Sequence, residues 1–374
     1  MKKVILGLSG GVDSAVALVL LKENYNVKAC FMRNWDSLTN QDVLGNPTID
    51  NPICPQELDY QDAKKVAESL GIELLRVDFV EEYWNTVFKY FISEYEKGRT
   101  PNPDILCNNE IKFKAFLDFA LKENTDYIAM GHYAKKGYID GKAVLLRAKD
   151  KNKDQTYFLS QLTEEQLEKA LFPIGDLTKK EVREIASEYN LSVSNKKDSM
   201  GICFIGERHF NDFLKNYLPA QKGKIRTLDG EYIKDHEGLI FYTIGQRKGL
   251  GIGGLKEYDL EPWFVVGKDI KTNTLYVAQG YHNEYLYSNK CIVKNVVWRG
   301  SRDLNRQFSA KFRYRAKDTN VTLKWLDEKT LEVVYKDKER AVTPGQAAAF
   351  YSGEVCVGGG FIDTVYMDLE RRKY

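Results

Sequence analysis

The residues best suited to bind phosphate form the segment Gly-Leu-Ser-Gly-Gly-Val-Asp-Ser at positions 7–14. A short apolar run precedes it and a helix is predicted over 14–23, so a glycine turn joins a strand to a helix. Adjacent glycines allow positive φ and close backbone approach to a ligand, and the N–H groups at a helix N-terminus attract anions. Ser9 and Ser14 add hydroxyl donors, and Asp13 could hold a metal ion that bridges phosphates. The segment therefore predicts a phosphate-binding loop.

This loop differs from two common phosphate-binding motifs. It lacks the lysine of the Walker pattern, and its glycines do not have the G-x-G-x-x-G spacing of dinucleotide-binding folds. The string SGGVDS resembles the loop of the PP-loop ATP pyrophosphatases, which adenylate a carbonyl oxygen and release pyrophosphate, so that a nucleophile can displace AMP. The simpler alternative is a tight turn whose glycines serve packing alone.

A second stretch with chemical potential is RTPNPDILCN at 99–108. Its two prolines predict an extended turn over 101–103, with a helix just after it and Cys107 at or near the helix N-terminus. A helix dipole at that position favours thiolate and is expected to lower the pKa of Cys107. Asp104 could exchange a proton with a substrate base. The alternative is a buried loop cysteine beside an ordinary helix cap.

A third stretch, DSMGICFIGER at 198–208, places Cys203 in a glycine-flanked segment without regular periodicity. Such a cysteine could move between partners, but only the fold could bring it to Cys107. The residues alone favour two unrelated thiols. The six cysteines are scattered without a C-x-x-C pair, which argues against a zinc knuckle and against a secreted disulfide framework.

Composition sets the broad class. The chain has 374 residues, 43% of them hydrophobic, which predicts two or three globular domains. The net charge of +2 means that any nucleic-acid surface must be local. No apolar run approaches the length of a membrane span, and glycines interrupt the N-terminal apolar stretch. We therefore expect a cytoplasmic protein that does not enter a membrane.

The positions of these segments follow from an α/β rhythm. Strand-like runs at 4–8, 27–32, 73–79 and 126–130 alternate with helical stretches at 14–23, 57–70, 82–97 and 109–123, and a further helix is predicted at 178–189. That rhythm predicts a doubly wound parallel sheet that binds its ligand at the carboxyl ends of the strands. Short alternating strands after about 285 predict a closed all-β barrel. The expected domains are 1–212 (nucleotide-binding), 213–284 (small and central) and 285–374 (barrel).

Two further features lie at possible ligand surfaces. Gly131 and His132 follow the strand predicted at 126–130, which puts them at the ligand edge of the sheet. The run KFRYRAK at 311–317, if it is a strand, places its four basic side chains on one face, as suits a phosphate backbone. A solvated barrel face is the alternative.

The motifs together resemble the tRNA-specific 2-thiouridylases over nearly the whole chain. The strings that carry this resemblance are GLSGGVDS, NWD (34–36), RTPNPDILCN, GHYA (131–134), KDQTYFL (153–159), DSMGICFIGER, YTIGQRKGLGIGG (242–254) and PWFVVGKD (262–269). Enzymes of this family replace the C2 oxygen of the wobble uridine with sulfur in tRNAs for lysine, glutamate and glutamine. The family's architecture, a nucleotide-binding α/β domain followed by a small central domain and a β-barrel, agrees with the expected domains.

The resemblance also implies a site and a mechanism. ATP with Mg²⁺ would be bound by Gly7, Leu8, Ser9, Gly10, Gly11, Val12, Asp13, Ser14, Met32 and Gly131, with Asp13 as the metal ligand. Cys203 would carry sulfur as a persulfide. Cys107 would attack that persulfide as a nucleophile and form a transient Cys107–Cys203 disulfide, or it would resolve an adduct made by the persulfide itself. A sulfur-carrier protein or a cysteine desulfurase must supply the sulfur.

The same resemblance implies contacts to tRNA. Asn102, Pro103 and Asp104 would touch the target base, which must leave the anticodon stack, with Asp104 as an acid or base. Other tRNA contacts are expected at His132, Lys153, Asp154, Gln155, Arg313, Tyr314 and Gln346.

Three rival functions remain open on sequence grounds. One is a PP-loop ligase of the argininosuccinate synthase type, for which both cysteines are dispensable. Another is a non-catalytic tRNA-binding protein with a vestigial nucleotide pocket. The third is a thiolase in which Asp104, Cys107 and Cys203 hold an iron–sulfur cluster.

Overall fold

A computed structural model describes residues 1–50, 55–197, 201, 203, 205–206, 208–253 and 260–373. Cys54, in the long segment after the second strand, lies outside these residues. The elements of the first part, in chain order, are β1 (Lys3–Gly7), α1 (Val12–Lys22), β2 (Asn26–Arg33), α2 (Pro55–Leu70), β3 (Leu74–Asp78), α3 (Val80–Tyr83), a π-helical turn (Trp84–Phe88), α4 (Lys89–Glu96), α5 (Pro103–Leu106), a π-helix (Cys107–Ala115), α6 (Phe116–Lys122), β4 (Tyr127–Ala129), β5 (Lys135–Ile139), β6 (Lys142–Leu146), α7 (Glu164–Glu168), β7 (Ala170–Leu171), α8 (Lys179–Glu188) and α9 (Phe210–Lys215).

Five parallel strands form the first sheet, in the order β3-β2-β1-β4-β7. Side chains alternate between its faces. Ile5 on β1 joins a core with the helices of 80–122, whereas Val4 and Leu6 join a second core with α1, α2 and α8. Both faces are thus covered, and the predicted doubly wound α/β architecture is confirmed. Helix α8 begins with the capping box predicted from Thr178 and Glu181.

The helix that carries Cys107 starts earlier than predicted. Asn102 is its N-cap and accepts a hydrogen bond from the Asp104 N–H at 3.1 Å, and Pro103 occupies the first helical position. Proline is well tolerated there because the N–H it lacks would have no helical partner. The prediction of an extended turn over 101–103 is therefore wrong at Pro103, and Cys107 lies one turn inside the helix.

The rest of the chain is almost entirely β. Its strands are β8 (Gly223–Arg226), β9 (Tyr232–His236), β10 (Trp263–Asp269), β11 (Thr274–Gln279), β12 (Tyr287–Trp298), β13 (Phe308–Lys311), β14 (Thr319–Asp327), β15 (Thr330–Arg340), β16 (Ala347–Ser352), β17 (Val355–Met367) and β18 (Glu370–Arg371). Strands β10-β11-β8-β9 form a central sheet, and β12-β15-β14-β13-β16-β17 closes on itself because β17 also pairs with β12. The predicted barrel is confirmed.

The barrel differs from the sequence prediction in two places. The hairpin β5–β6 extends its sheet, since Val355 of β17 pairs with Leu146 of β6, so the first part of the chain is joined to the barrel. Strand β13 ends at Lys311, and residues 312–315 form bends and turns. The prediction of a one-faced basic strand over 311–317 is therefore wrong. No helix among the described residues is long and apolar enough to cross a membrane.

Candidate active site

Residues 7–14, here called the phosphate loop, connect β1 to α1 at the carboxyl edge of the first sheet. The Ser9 N–H donates to Ser14 Oγ at 3.2 Å, and the Ser14 hydroxyl donates to the Gly11 carbonyl at 3.0 Å. Gly11 is the N-cap of α1 and carries no side chain of its own to cap the helix. The first N–H groups of α1 therefore face the loop, as in anion-binding helix termini.

Two glycines are required by close approach of the backbone. Gly10 has φ +75°, and a Cβ there would lie 2.2 Å from the Asp59 carbonyl oxygen. A Cβ on Gly131, just beyond β4, would lie 2.7 Å from the backbone nitrogen of Ser14. The loop is thus pressed against two neighbouring segments, and Gly131 belongs to the same pocket as residues 7–14. Met32, at the end of β2, packs against Gly7 at the base of that pocket.

Two lysines outside the predicted motifs hold the phosphate loop. Lys179, the first residue of α8, lies 2.7 Å from Asp13 Oδ1, which also accepts a hydrogen bond from the Tyr133 hydroxyl at 2.9 Å. Lys196 donates to the Gly10 carbonyl at 3.0 Å and pairs with Asp59 and Asp62. Neither lysine lies in a recognisable motif, so only the fold could reveal these contacts.

The two candidate cysteines meet in the structure although they are 96 residues apart. The sulfur atoms of Cys107 and Cys203 lie 3.6 Å apart, and both are free thiols. That separation exceeds the disulfide bond length of about 2.05 Å but permits a hydrogen bond between the sulfurs. The Tyr83 hydroxyl donates to the Cys203 carbonyl at 3.0 Å, and Asp104 Oδ1 accepts from the Cys203 N–H at 3.2 Å. These contacts fix the backbone of Cys203 between α3 and the helix that carries Cys107.

The two thiols have opposite electrostatic environments. Burial raises the pKa of the Cys107 thiol well above its usual value. The pKa of Cys203 is lowered, because the Cys107 thiol donates to its sulfur and Lys112 adds a positive charge, although burial acts the other way. The expectation of a thiolate at Cys107 is therefore wrong. Cys107 lies past the first helical turn in a buried position, and Cys203 is the thiol that favours the anion.

Two charged groups complete this cluster. Burial raises the pKa of Asp104, which Lys112 and the Cys203 N–H partly oppose. Burial alone would lower the pKa of Lys112, but the sulfurs of Cys203 and Cys107 and the Asp104 carboxylate raise it to about 12. We call Asp104, Cys107, Lys112 and Cys203 the thiol centre. It combines a protonated thiol, a thiol that ionises readily, a carboxyl group and a cation.

The barrel and the central sheet support the segment that leads to the thiol centre. The Thr100 N–H donates to the Pro344 carbonyl at 3.0 Å, and Gln346 Nε2 donates to the Thr100 carbonyl at 2.7 Å. Arg99 pairs with Asp363 of β17 at 2.6 Å. The buried Lys268 of β10 donates to the Gly98 carbonyl at 3.1 Å. Four contacts from other parts of the chain thus fix residues 98–100.

The predicted tRNA residues fall into two groups. His132 is buried beside Phe113, its Nδ1 has no partner among the described residues, and burial together with Lys112 lowers its pKa well below the usual value. Tyr314 packs against Phe158 with ring centroids 4.4 Å apart and ring planes tilted by 44°, and its hydroxyl donates to the Lys153 carbonyl at 3.4 Å. His132 thus adjoins Lys112 of the thiol centre, and Tyr314 adjoins Phe158, whose carbonyl accepts from Asn108 of the Cys107 helix at 3.4 Å.

The second group uses its polar atoms within the protein. Asp154 is buried and accepts from the Ala148 N–H at 3.0 Å, and Gln155 Oε1 accepts from the Tyr133 N–H at 2.9 Å. Arg313 Nη2 donates to the Ala341 carbonyl at 2.8 Å. Gln346 holds the Thr100 carbonyl as described above. Contacts of all these residues with tRNA remain predictions.

The fold and the site define a class of protein: an α/β domain with a PP-loop, followed by a central β domain and a β-barrel. Comparison with protein families agrees with this architecture. Residues 2–207 match the family described as "tRNA methyl transferase HUP domain", residues 211–279 match "tRNA methyl transferase PRC-barrel domain", and residues 288–362 match "Aminomethyltransferase beta-barrel domain".

Curated relatives match over the full length. The tRNA-specific 2-thiouridylase MnmA of Acholeplasma laidlawii is 61% identical, with 100% of this chain and 99% of the relative covered. The protein of the same name in Aster yellows witches'-broom phytoplasma is 57% identical, with 100% of both chains covered. That of Bacillus cytotoxicus is 52% identical, with 100% and 97% covered. The chain therefore belongs to the tRNA-specific 2-thiouridylase family, and the predicted activity, formation of 2-thiouridine in tRNA, is confirmed at that level.

Proposed function

We propose that this chain is a tRNA-uridine 2-sulfurtransferase that uses ATP and Mg²⁺ to thiolate the wobble uridine of tRNAs for lysine, glutamate and glutamine. The observation that carries this proposal is the thiol pair: two free sulfurs 3.6 Å apart beside a buried carboxyl group. A ligase of the argininosuccinate synthase type has no use for such a pair, and neither has a non-catalytic tRNA-binding protein. Methyl transfer, which the family descriptions mention, requires neither the pair nor a phosphate loop.

The phosphate loop supports the activation step. In this step the uridine C2 oxygen attacks the α-phosphorus of ATP, the bond to pyrophosphate breaks, and the N3 proton of the base is released. The N–H groups of the loop and of α1 would bind the phosphates, and Asp13 would hold Mg²⁺ together with phosphate oxygens, which is the usual mode for this ion. Lys179, now paired with Asp13, supplies the positive charge that the loop itself lacks.

The thiol centre supports sulfur transfer by two routes. In one, Cys107 attacks the inner sulfur of a Cys203 persulfide. A Cys107–Cys203 disulfide forms, the persulfide bond breaks, and the released hydrosulfide, which takes the Cys107 proton, attacks C2 and displaces AMP. In the other, the terminal persulfide sulfur attacks C2 and displaces AMP. Cys107 then attacks the Cys203 sulfur, the sulfur–sulfur bond of the adduct breaks, and the departing 2-thiouridine takes the Cys107 proton. Both routes end in the same disulfide.

The reaction also needs a group that exchanges the uridine N3 proton, a reductant for the disulfide and a source of sulfur. Asp104, whose pKa is raised by burial, would exchange the uridine N3 proton, and with Asn102 and Pro103 it would face the flipped base. A dithiol reductant must reduce the disulfide, and a persulfide from a sulfur-carrier protein or a cysteine desulfurase must reload Cys203. The described residues contain no group of three His, Cys, Asp or Glu side chains arranged to hold a metal ion, so we do not propose an iron–sulfur cluster on Asp104, Cys107 and Cys203.

The test is nucleoside mass spectrometry of wobble-uridine tRNA after incubation with the protein, ATP, Mg²⁺ and a persulfide donor, with pyrophosphate release measured in parallel. We expect Cys203→Ser and Cys107→Ser each to abolish 2-thiouridine while tRNA-dependent pyrophosphate release persists. Cys291→Ala, which alters a buried cysteine in the barrel core rather than in the core that contains Cys107, is the control. Equal 2-thiouridine from Cys203→Ser would overturn the proposal, and pyrophosphate release that does not depend on tRNA would favour the ligase.

A further inference from the structure

The π-helix that carries Cys107 also positions Lys112. In a π-helix each backbone hydrogen bond joins residues five apart instead of four. Here the Phe116 N–H donates to the Ile111 carbonyl. In an α-helix, residues five apart point about 140° away from each other. The wider π turn brings residue 112 back over residue 107. On this helix, the Lys112 ammonium forms a side-chain hydrogen bond with the Cys203 sulfur, and that sulfur lies 3.6 Å from the sulfur of Cys107.

The groups around Lys112 show what its charge can act on. Cys203, Cys107 and Asp104 each raise the pKa of the Lys112 ammonium by their negative charge. Burial and the Lys112 charge lower the pKa of His132, which lies in the segment after β4. Within the described part of the chain, Lys112 is the cation whose charge acts on both sulfur atoms. Lys114, two residues further on, instead pairs with Glu110 at 2.7 Å on the solvent side. One face of the helix therefore serves the thiol centre and the other faces water.

Building on the proposed function, we infer that Lys112 holds the sulfur of Cys203 as an anion, first as the thiolate that accepts sulfur and then as the loaded persulfide. Lys112 lies on the same helix as Cys107, so the cation and the resolving thiol keep a fixed geometry. Cys203 is far from this helix in sequence, and its sulfur forms hydrogen bonds with both Cys107 and Lys112. The Lys112 ammonium thus adds to the hydrogen bond from Cys107 in favouring the anion at Cys203, while burial keeps Cys107 protonated.

The loading step shows why the anion matters. The Cys203 thiolate attacks the outer sulfur of a persulfide donor; a new sulfur–sulfur bond forms on Cys203, the donor's bond breaks, and the donor leaves as a thiolate with no net oxidation. Only the thiolate is nucleophilic in such an exchange. The extra sulfur carries the negative charge of the loaded state, and Lys112 pairs with it. Cys107 stays protonated until the release step, in which the departing sulfur takes its proton and Cys107 attacks as the thiolate.

The test compares Lys112→Met, which removes the charge at similar size, with Lys112→Arg, which keeps it, and with Lys114→Met as the matched control on the exposed face. The readout is the rate of Cys203 alkylation by iodoacetamide, followed by peptide mass spectrometry from pH 6 to 10. We expect Lys112→Met to slow alkylation at pH 7.5 about tenfold and to raise the midpoint of the profile by about one pH unit. Lys112→Arg should restore the rate to within about threefold, and Lys114→Met should match the wild type.

The same comparison is made in a Cys107→Ala background, which removes the hydrogen bond that also favours the Cys203 thiolate. Lys112→Met should still slow alkylation about tenfold there. An unchanged pH profile of alkylation in Lys112→Met would overturn the inference. An equal loss of alkylation rate in Lys112→Arg would also overturn it, because the shape of the side chain rather than its charge would then matter. The arginine variant decides the question even if the methionine variant does not fold. Alkylation needs neither ATP nor tRNA, so these outcomes leave the proposed function untouched, whereas thiolation by Cys203→Ser would overturn the latter.

Discussion

The phosphate loop and the thiol centre are built in different ways. The phosphate loop consists of eight consecutive residues, and the contacts that fix it come from the first part of the chain: Asp59, Gly131, Lys179 and Lys196. The thiol centre joins a helix to a distant segment, and the residues leading into it are held by β10, β17 and the loop before β16. One site is local to a single sheet, and the other depends on three parts of the molecule.

This difference has a functional consequence. Nucleotide binding needs a rigid backbone cradle, which a strand, a turn and a helix can form by themselves. Sulfur transfer to a tRNA base needs thiols, an acid and a segment that binds the base, all held at fixed positions relative to a large substrate. Anchoring residues 98–100 to the barrel and to the central sheet couples the segment proposed to bind the base, residues 102–104, to both of these domains. Substitutions in those domains should therefore affect thiolation and spare the phosphate loop.

The largest effect on the free energy of unfolding is expected in the phosphate loop. Gly10→Ala forces a side chain into a backbone with φ +75° and into a space where a Cβ would lie 2.2 Å from the Asp59 carbonyl oxygen. Because that neighbour is backbone, the loop itself must shift, and we expect a loss of about 4 kcal/mol in the free energy of unfolding. Chemical denaturation measures this loss.

Gly11→Ala is the matched control for Gly10→Ala. Gly11 has φ −100°, and a Cβ there would make only an ordinary contact 3.5 Å from Ser9 Oγ. Its cost should stay below about 1 kcal/mol. Similar losses in the two variants would contradict the view that the phosphate loop is fixed by its contact with Asp59.

The same contrast explains which parts of the site could be predicted. A contiguous motif with fixed spacing revealed the phosphate loop, and hydrophobic periodicity revealed the parallel sheet and the barrel. Lys112, Lys179 and Lys196 are single lysines without a spacing signal, and their partners are far away in sequence. Only the fold creates their roles. The meeting of Cys107 with Cys203 was likewise inaccessible to residue patterns and came from the family resemblance alone.

Two errors have local physical causes. Pro103 was expected to delay the helix, but proline fits the first helical position, so the helix starts before Cys107 and burial dominates the thiol. The alternation of basic and apolar residues after Lys311 suggested a strand, but the chain turns there and a hydrogen bond runs from the Ala316 N–H to the Arg313 carbonyl. Period-2 alternation over a few residues does not distinguish a strand from an irregular turn.

A second prediction concerns the loss of stability caused by burying Lys268 where the central sheet contacts the segment before the thiol centre. Lys268 is buried where the central sheet meets Gly98, and burial lowers its pKa from 10.5 to about 7. Above pH 10.5 the amine is neutral in both states. As the pH falls from 10.5 to about 7, the unfolded chain takes up a proton that the folded chain does not, so stability decreases; below about 7 the loss is constant.

Lys268→Met removes this penalty but also the hydrogen bond to the Gly98 carbonyl. We expect the variant to be more stable by about 3 kcal/mol at pH 7 and to gain little at pH 10. Denaturant titrations at both pH values measure the difference, with the exposed Lys271→Met as control. A gain that does not depend on pH would mean that Lys268 is charged in the folded state.

The smallest expected effect tests the anchoring itself. Gln346 was expected to touch tRNA, but its Nε2 donates to the Thr100 carbonyl at 2.7 Å, two residues before the helix N-cap at Asn102. Gln346 Nε2 also donates to the Pro101 carbonyl at 3.4 Å. Gln346→Leu removes both hydrogen bonds and loosens the segment proposed to bind the base, so kcat/KM for tRNA should fall about tenfold, as expected for a loss of about 1.4 kcal/mol. The KM for ATP should not change, because the phosphate loop has its own supports. Gln307→Leu, an exposed substitution on the same barrel, should leave both constants near the wild-type values. If Gln346→Leu weakened ATP binding and tRNA thiolation equally, the two sites would share their supports, and the distinction between a local phosphate loop and an anchored thiol centre would be lost.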